Sequence, residues 1–115
     1  MKRFGIIFIC IILASAFVAC GSVIPQGMDK KTYEIGKNAL EVAENYDKGL
    51  ISKDEAYERI NTMANRLEKL NLNDATAQRK NGVIQAVVKL LAIQIRFDSD
   101  YYDTIDDLKE YLGLK

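Results

Sequence analysis

The amino-acid sequence predicts an all-α protein: a small bundle of three to four helices built on an antiparallel helical hairpin, preceded by a short apolar segment. Three observations carry this expectation. The single proline is Pro25, so the whole stretch from Asp29 to Lys115 lacks the residue that breaks helices. Over that stretch apolar residues recur at steps of three and four, the period of a helix face. Two such stretches are separated only by the residues around Gly49 to Ser52, a connection so short that the helices must fold back on one another. Residues 29–115 suffice for one hydrophobic core and not for two, so one domain is expected.

The first helix is expected from about Lys30 to Lys48. Ile35, Ala39, Val42 and Tyr46 form one stripe, widened by Gly36, Leu40 and Ala43, and Glu44 precedes Lys48 by four residues in the favourable order. Gly49 ends it, because glycine takes the left-handed conformation without a Cβ clash, and Leu50 is placed to pack back on the last turn. The next start is the clearest local signal. Ser52-Lys53-Asp54-Glu55 is a capping box, in which Ser52 and Glu55 each accept a bond from a backbone N–H that the helix leaves free, and Ile51 with Ala56 completes a hydrophobic staple. Ala56, Tyr57, Ile60, Met63, Ala64, Leu67 and Leu70 then form the inward face.

Asn73 or Asp74 caps a third helix, polar as far as Asn81-Gly82, a turn signal that allows a kink or break there. Val83 to Phe97 is almost wholly apolar. Its β-branched residues Val83, Ile84, Val87, Val88, Ile93 and Ile95 also suit a strand, but the length of the run favours helix. On a helical projection Gln85, Lys89 and Arg96 fall on one narrow polar stripe and apolar residues take the remaining arc. One neighbouring helix cannot cover so wide an arc, so this segment is expected at the centre of the bundle or against a partner. Gln94 lies within the arc and needs a hydrogen-bond partner if buried. Asp98-Ser99-Asp100 then caps a short last helix with Tyr101, Ile105, Leu108 and Leu112 inward, ended by Gly113.

Two patterns resemble cation sites. Asp103, Asp106, Asp107 and Glu110 form an acidic face on the last helix, yet a solvated face whose early carboxylates suit the helix dipole accounts for them. Gly49 to Glu55 matches the second half of an EF-hand loop, but that alignment puts Glu44, Tyr46 and Lys48 where the first three ligands belong, and neither tyrosine nor lysine serves. The capped hairpin explains the same residues. No metal and no cofactor are expected.

Before the domain, Met1-Lys2-Arg3 supplies a positive end, and Phe4 to Val18 is apolar apart from Gly5 and Ser15, the layout of a secretory signal. The junction Phe17-Val18-Ala19-Cys20-Gly21-Ser22 resembles the lipobox of bacterial lipoproteins, in which small residues precede a cysteine that is lipidated and becomes N-terminal on cleavage. The resemblance covers only the first 22 residues. It implies a signal peptide over 1–19, a palmitate-type acyl chain on Cys20, a tether over 20–28, and a place at the cell membrane or envelope, outside the cytoplasm. Two other readings stay open. Ala14-Ser15-Ala16 suits ordinary signal cleavage, and the apolar run could remain as an anchor, although a span usually needs about 20 residues. Cys10 reads as a small hydrophobe inside the apolar run. Gly21 to Gly27 has no helical periodicity and, extended at ~3.5 Å per residue, reaches ~25 Å.

Basic and acidic residues number 16 each, and histidine is absent. Taking away Lys2 and Arg3 leaves 14 basic against 16 acidic, a net charge of minus two, which gives nucleic acid nothing to bind; export also removes the DNA-binding reading of a helical hairpin. The lack of histidine takes away the commonest general base and metal ligand, and acylation of Cys20 takes the last thiol of the mature part, so no enzyme is expected. Six tyrosines, Tyr33, Tyr46, Tyr57, Tyr101, Tyr102 and Tyr111, suit a core rim or an interface, and Tyr101 and Tyr102 cannot both face inward. The leading expectation is a membrane-tethered helical module that meets another envelope protein. The alternative is a carrier of a small apolar or lipid ligand between helices around Val83 to Ile95. Changing Cys20→Ala is predicted to abolish fatty-acid labelling and membrane retention; labelling that survived would end the lipoprotein reading.

Overall fold

The computed structural model describes residues 23–115; Cys10, Cys20 and the lipobox-like junction lie outside the described residues. The chain runs through α1 (Lys30–Asp47), α2 (Lys53–Glu68), α3 (Ala75–Arg96) and α4 (Tyr102–Tyr111), and all regular structure among the described residues is helical. The N-caps of α1, α2 and α3 are short polar side chains that satisfy a backbone N–H of the first turn, whereas the N-cap of α4, Tyr101, makes no such bond and Asp100 before it accepts from the first turn instead. The Asp29 carboxylate accepts from Lys31 N at 2.9 Å, Ser52 Oγ from Glu55 N at 3.1 Å, the Asp74 carboxylate from Ala77 N at 2.9 Å, and Asp100 from Tyr102 N at 3.0 Å. The Glu55 carboxylate does not close the capping box as expected but turns along the helix to Arg59, 3.3 Å away.

The ends of α1, α3 and α4 repeat one device, a residue in the left-handed conformation just past the helix. Gly49 N–H donates to the Tyr46 carbonyl and Leu50 N–H to the Asn45 carbonyl, with Gly49 at φ 79°; Gly113 and Leu114 do the same for α4, with Gly113 at φ 74°. The hydrophobic contact expected of Leu50 is missing: its side chain is 67% exposed, and Ile51 packs against the core instead. At the end of α3 an aspartate takes the place of glycine. Asp98 sits at φ 57° and Ser99 N–H reaches the Gln94 carbonyl at 2.9 Å. The Asp98-Ser99-Asp100 triplet is thus divided: Asp98 closes α3, and only Asp100 opens α4. Aspartate is one of the few side chains that tolerate this conformation.

The break allowed at Asn81-Gly82 does not occur; α3 is continuous through both residues. The reason lies in what holds the Asn81 amide. Thr32 Oγ1 donates to Asn81 Oδ1 at 2.7 Å, and Asn81 Nδ2 donates to the Leu67 carbonyl at 2.8 Å, with both bonds buried. An asparagine that nucleates a turn does so by bonding its own backbone, and here the side chain is fully occupied by other helices. The Leu67 carbonyl belongs to the last turn of α2, where its backbone partner is Leu70 N–H at 3.3 Å, and Asn81 adds a second, shorter bond from another helix.

Packing follows from the inward stripes. α1 and α3 each touch the other three helices, while α2 and α4 lie on either side of them and do not pack on each other. The most extensive pairing is α2 with α3. Ala39, Ala43, Ala56, Ile60, Ala64, Leu67, Ile84, Val88, Leu91, Ile95, Leu108 and Leu112 are sealed from solvent. The expected α1–α2 hairpin is present, and its alanines let the two helices approach closely. Gly36 fills the same need more strictly, since a Cβ there would stand 2.9 Å from Leu112 Cδ2 and 3.2 Å from Ile84 Cγ2. Of the expected tether, Ile24 and Met28 rest against the core, and Pro25 to Met28 make a turn closed at 3.1 Å with Gly27 at φ 84°.

Two stability measurements follow. Ser52→Ala should cost about 1 kcal/mol in a urea melt, the usual worth of an N-cap. Asn81→Ala should cost about 1–3 kcal/mol, because it removes the acceptor of the buried Thr32 hydroxyl and the shorter of the bonds to the Leu67 carbonyl. An unchanged midpoint for Asn81→Ala would show that the buried network carries no net stability.

Candidate functional site

The helix that the bundle is built around is apolar on both sides. Toward the core, α3 presents Ile84, Val88, Leu91, Ala92 and Ile95, all buried. On the opposite side Val83, Leu90, Ile93 and Phe97 are 43%, 47%, 41% and 68% exposed, and Ala86 is exposed among them. Residues 83, 86, 90, 93 and 97 alternate steps of three and four, so they form one continuous stripe of four turns along the outer face. Scattered exposed hydrophobes are ordinary on any protein; a contiguous stripe is not. The expectation that the Val83 to Phe97 arc would lie at the centre of the bundle therefore holds for half of it. Three helices pack on α3, and they leave this half uncovered.

The two edges of the stripe differ in charge. On the α2 side stand Lys89, whose Nζ donates to Asn61 Oδ1 at 2.7 Å, and Arg96, whose guanidinium lies 4.7 Å from the Tyr57 ring centre and 5.8 Å from that of Phe97. Both stay exposed, and with Gln85 they make the polar stripe expected from the sequence. α3 carries Arg79, Lys80, Lys89 and Arg96 and no acidic residue. On the α4 side the neighbour is acidic. Tyr111 shares a depression of about 210 Å³ with Met28, Lys80, Val83 and Ile84, which places that flank of α4 along α3. Asp107, four residues before Tyr111 and exposed, continues the same flank, with Asp103 one turn further. Gln94 lies at this edge, half-buried, and its Oε1 is buried with no hydrogen-bond partner. The partner that the sequence required for Gln94 is not supplied by the described residues.

Elsewhere the polar residues tie elements together. Asp47 Oδ1 accepts from Tyr101 Oη at 2.9 Å and from Tyr102 Oη at 2.6 Å, clasping the end of α1 to the start of α4. The rings of Tyr46 and Tyr101 lie 5.8 Å apart and those of Tyr101 and Tyr102 5.0 Å apart. Tyr102 is the exposed member of the pair, as the spacing required. Lys53 at the start of α2 reaches Asp98, just past the end of α3, at 2.8 Å, and Lys109 pairs with Glu44 at 3.3 Å. On the acidic face of α4, Asp106 pairs with Lys115 at 3.8 Å. Among the described residues no three acidic or sulfur ligands are grouped to hold a metal, and no helix is long and apolar enough to cross a membrane. Comparison with known proteins finds no matching family model, no matching curated protein and no matching solved structure.

The clasp sets a pH dependence. Hydrogen bonds from Tyr102 and then Tyr101 hold the Asp47 carboxyl below its ordinary value of 3.8. Burial and then the bond to Asp47 push the Tyr101 hydroxyl above its ordinary 10.0, and the Asp47 bond raises Tyr102. A depressed carboxyl contributes stability above its unfolded value that is lost as pH falls through the folded one. A raised phenol contributes below its unfolded value and loses it as pH rises past 10.0. The urea midpoint should therefore decline on both the acid and alkaline sides, and Asp47→Asn should flatten both declines relative to the parent; identical pH profiles for the two proteins would mean that the clasp does not hold in solution.

Proposed function

We propose that this protein is a membrane-anchored lipoprotein of the bacterial cell envelope, attached through Cys20, whose helical domain is a protein-interaction module. The observation that carries the interaction reading is the outer stripe of α3. Val83, Leu90, Ile93 and Phe97 do nothing for the core, and exposing them costs solubility unless another surface covers them. An exposed aromatic beside an arginine is also the composition found where interfaces concentrate their binding energy. The anchor reading rests on the lipobox-like junction. It agrees with the N-terminal segment entering the bundle at Ile24, four residues after Cys20, which would hold the domain within roughly 15 Å of an acyl chain.

The carrier alternative gains less support. The apolar depression beside Met28, Val83 and Tyr111 measures about 210 Å³, below the roughly 300–1,000 Å³ usual for a ligand site. A larger hollow of about 510 Å³ is an open surface lined by Glu58, Arg59, Thr62, Met63 and Arg66. Neither offers the enclosed apolar space a lipid needs.

Photocrosslinking in intact cells tests the interaction reading. A benzoylphenylalanine placed at Ile93 should give protein adducts, while the same group at the exposed Glu41 of α1 should not. Equal yields at the two positions would contradict a role for the α3 face.

A further inference from the structure

We infer that the surface covering the outer stripe of α3 is a second copy of this chain, docked with its α3 parallel and in register. This rests on the interaction reading above and names its partner. The first argument is the spacing. Val83, Ala86, Leu90, Ile93 and Phe97 occupy alternate positions of a heptad, the pattern by which two helices interleave along a seam. A copy of the same stripe is the surface that matches it turn for turn.

The second argument is charge. The stripe has a basic edge, Lys89 and Arg96, and an opposite edge where Lys80 stands beside Tyr111 and where helical spacing carries Asp107 and Asp103 of α4 along the rest of its length. A two-fold axis running along the helices turns the partner so that its basic edge meets the acidic edge of the first copy, on both sides at once. An axis across the helices would set basic against basic and acidic against acidic. Heights agree as well. Tyr111 lies beside Val83, and α4 runs back along α3, so Asp107 falls near the level of Val87 and Asp103 near that of Leu90. In a parallel, in-register pair the partner's Lys89 stands at those levels, while Arg96 lies six residues beyond Leu90, about 9 Å farther along the helix. The heptad rule also brings the Lys89 position of one copy against the Gln94 position of the other.

The third argument is area. With large side chains covering about 150–250 Å² each, the exposed parts of Val83, Leu90, Ile93, Phe97 and Tyr111 amount to roughly 500 Å² per copy. Two copies reach about 1,000 Å², the level at which a protein interface becomes specific, before their polar edges are counted. The pairing also sends both N-terminal segments the same way, so two lipid anchors at Cys20 would enter one membrane.

Cysteine crosslinking in membranes isolated from cells that express the whole sequence tests the pairing, with the unsubstituted protein as the baseline for any crosslink through its own Cys10 or Cys20. Val83→Cys and Phe97→Cys should each form disulfide-linked dimers when an oxidant is added, at least several-fold above Glu41→Cys. Adding Leu90→Asp to the Val83→Cys chain should remove its dimer while leaving the helical circular dichroism unchanged and, at concentrations low enough to keep both chains monomeric, the melting temperature as well. If crosslinks form only between Val83→Cys on one chain and Phe97→Cys on another, the helices run antiparallel and the inference is overturned. If neither cysteine crosslinks to its own copy while benzoylphenylalanine at Ile93 still captures a different protein, the second copy is excluded and the interaction reading stands. If both experiments are blank, the two fall together.

Discussion

Three of the four helices meet at one amide. From the second turn of α3, Asn81 accepts a hydrogen bond from the Thr32 hydroxyl of α1 and donates one to the last-turn carbonyl of Leu67 in α2. Apolar contacts are tolerant of small slides, because a leucine that moves along a greasy face finds other contacts. A buried amide with two directed bonds is not, since a shift of one turn would break both bonds in the interior and leave the Asn81 amide without these partners. The network therefore fixes the height of α3 against α1 and α2. That height decides which of its many apolar residues turn inward and which are left outside. Ile84, Leu91 and Ile95 fill the space below the network, and α4 then closes against α1 and α3 through Leu108 and Leu112, with Gly36 making room for the latter.

The same constraint produces the two-faced helix. With Asn81, Ile84, Val88 and Ile95 pointing inward, helical geometry sends Val83, Ala86, Leu90, Ile93 and Phe97 outward. Only three neighbours are available, and α2 and α4 take the flanks of α3 without reaching round it. Lys89 and Arg96 bend toward α2, so the polar stripe lies at the border of the outer face and not across it. The result is a domain whose own fold is complete while one of its most apolar surfaces remains open.

Much of the fold was legible in the residues. The α1–α2 hairpin followed from Gly49 and Ser52, and the inward stripes of α1 and α2 followed from their spacing, because local capping and periodicity act within a few residues of each other. Errors arose where a distant partner decided the outcome. Asn81-Gly82 reads as a turn, and only contacts with Thr32 and Leu67, far along the chain, make it helical. Asp98 reads as a cap, and the left-handed end of α3 claims it. The outer face was legible as an arc too wide for one neighbour, but its division into covered and open halves depended on how many helices reached α3. The Asp47 clasp was not legible, since nothing local joins Asp47 to Tyr101 and Tyr102.

The central claim is that the apolar arc of α3 has a structural half and a half free for docking, and adjacent leucines separate the two. Leu91 is fully buried and Leu90 is 47% exposed. Urea unfolding of Leu91→Ala and Leu90→Ala, measured at protein concentrations low enough to keep the chain monomeric, is the most direct test. Leu91→Ala should lose about 2–5 kcal/mol from burial and a residual cavity. Leu90→Ala should lose well under about 1 kcal/mol, as at an ordinary surface site. Equal losses at the two positions would contradict the division and place the whole arc in the core.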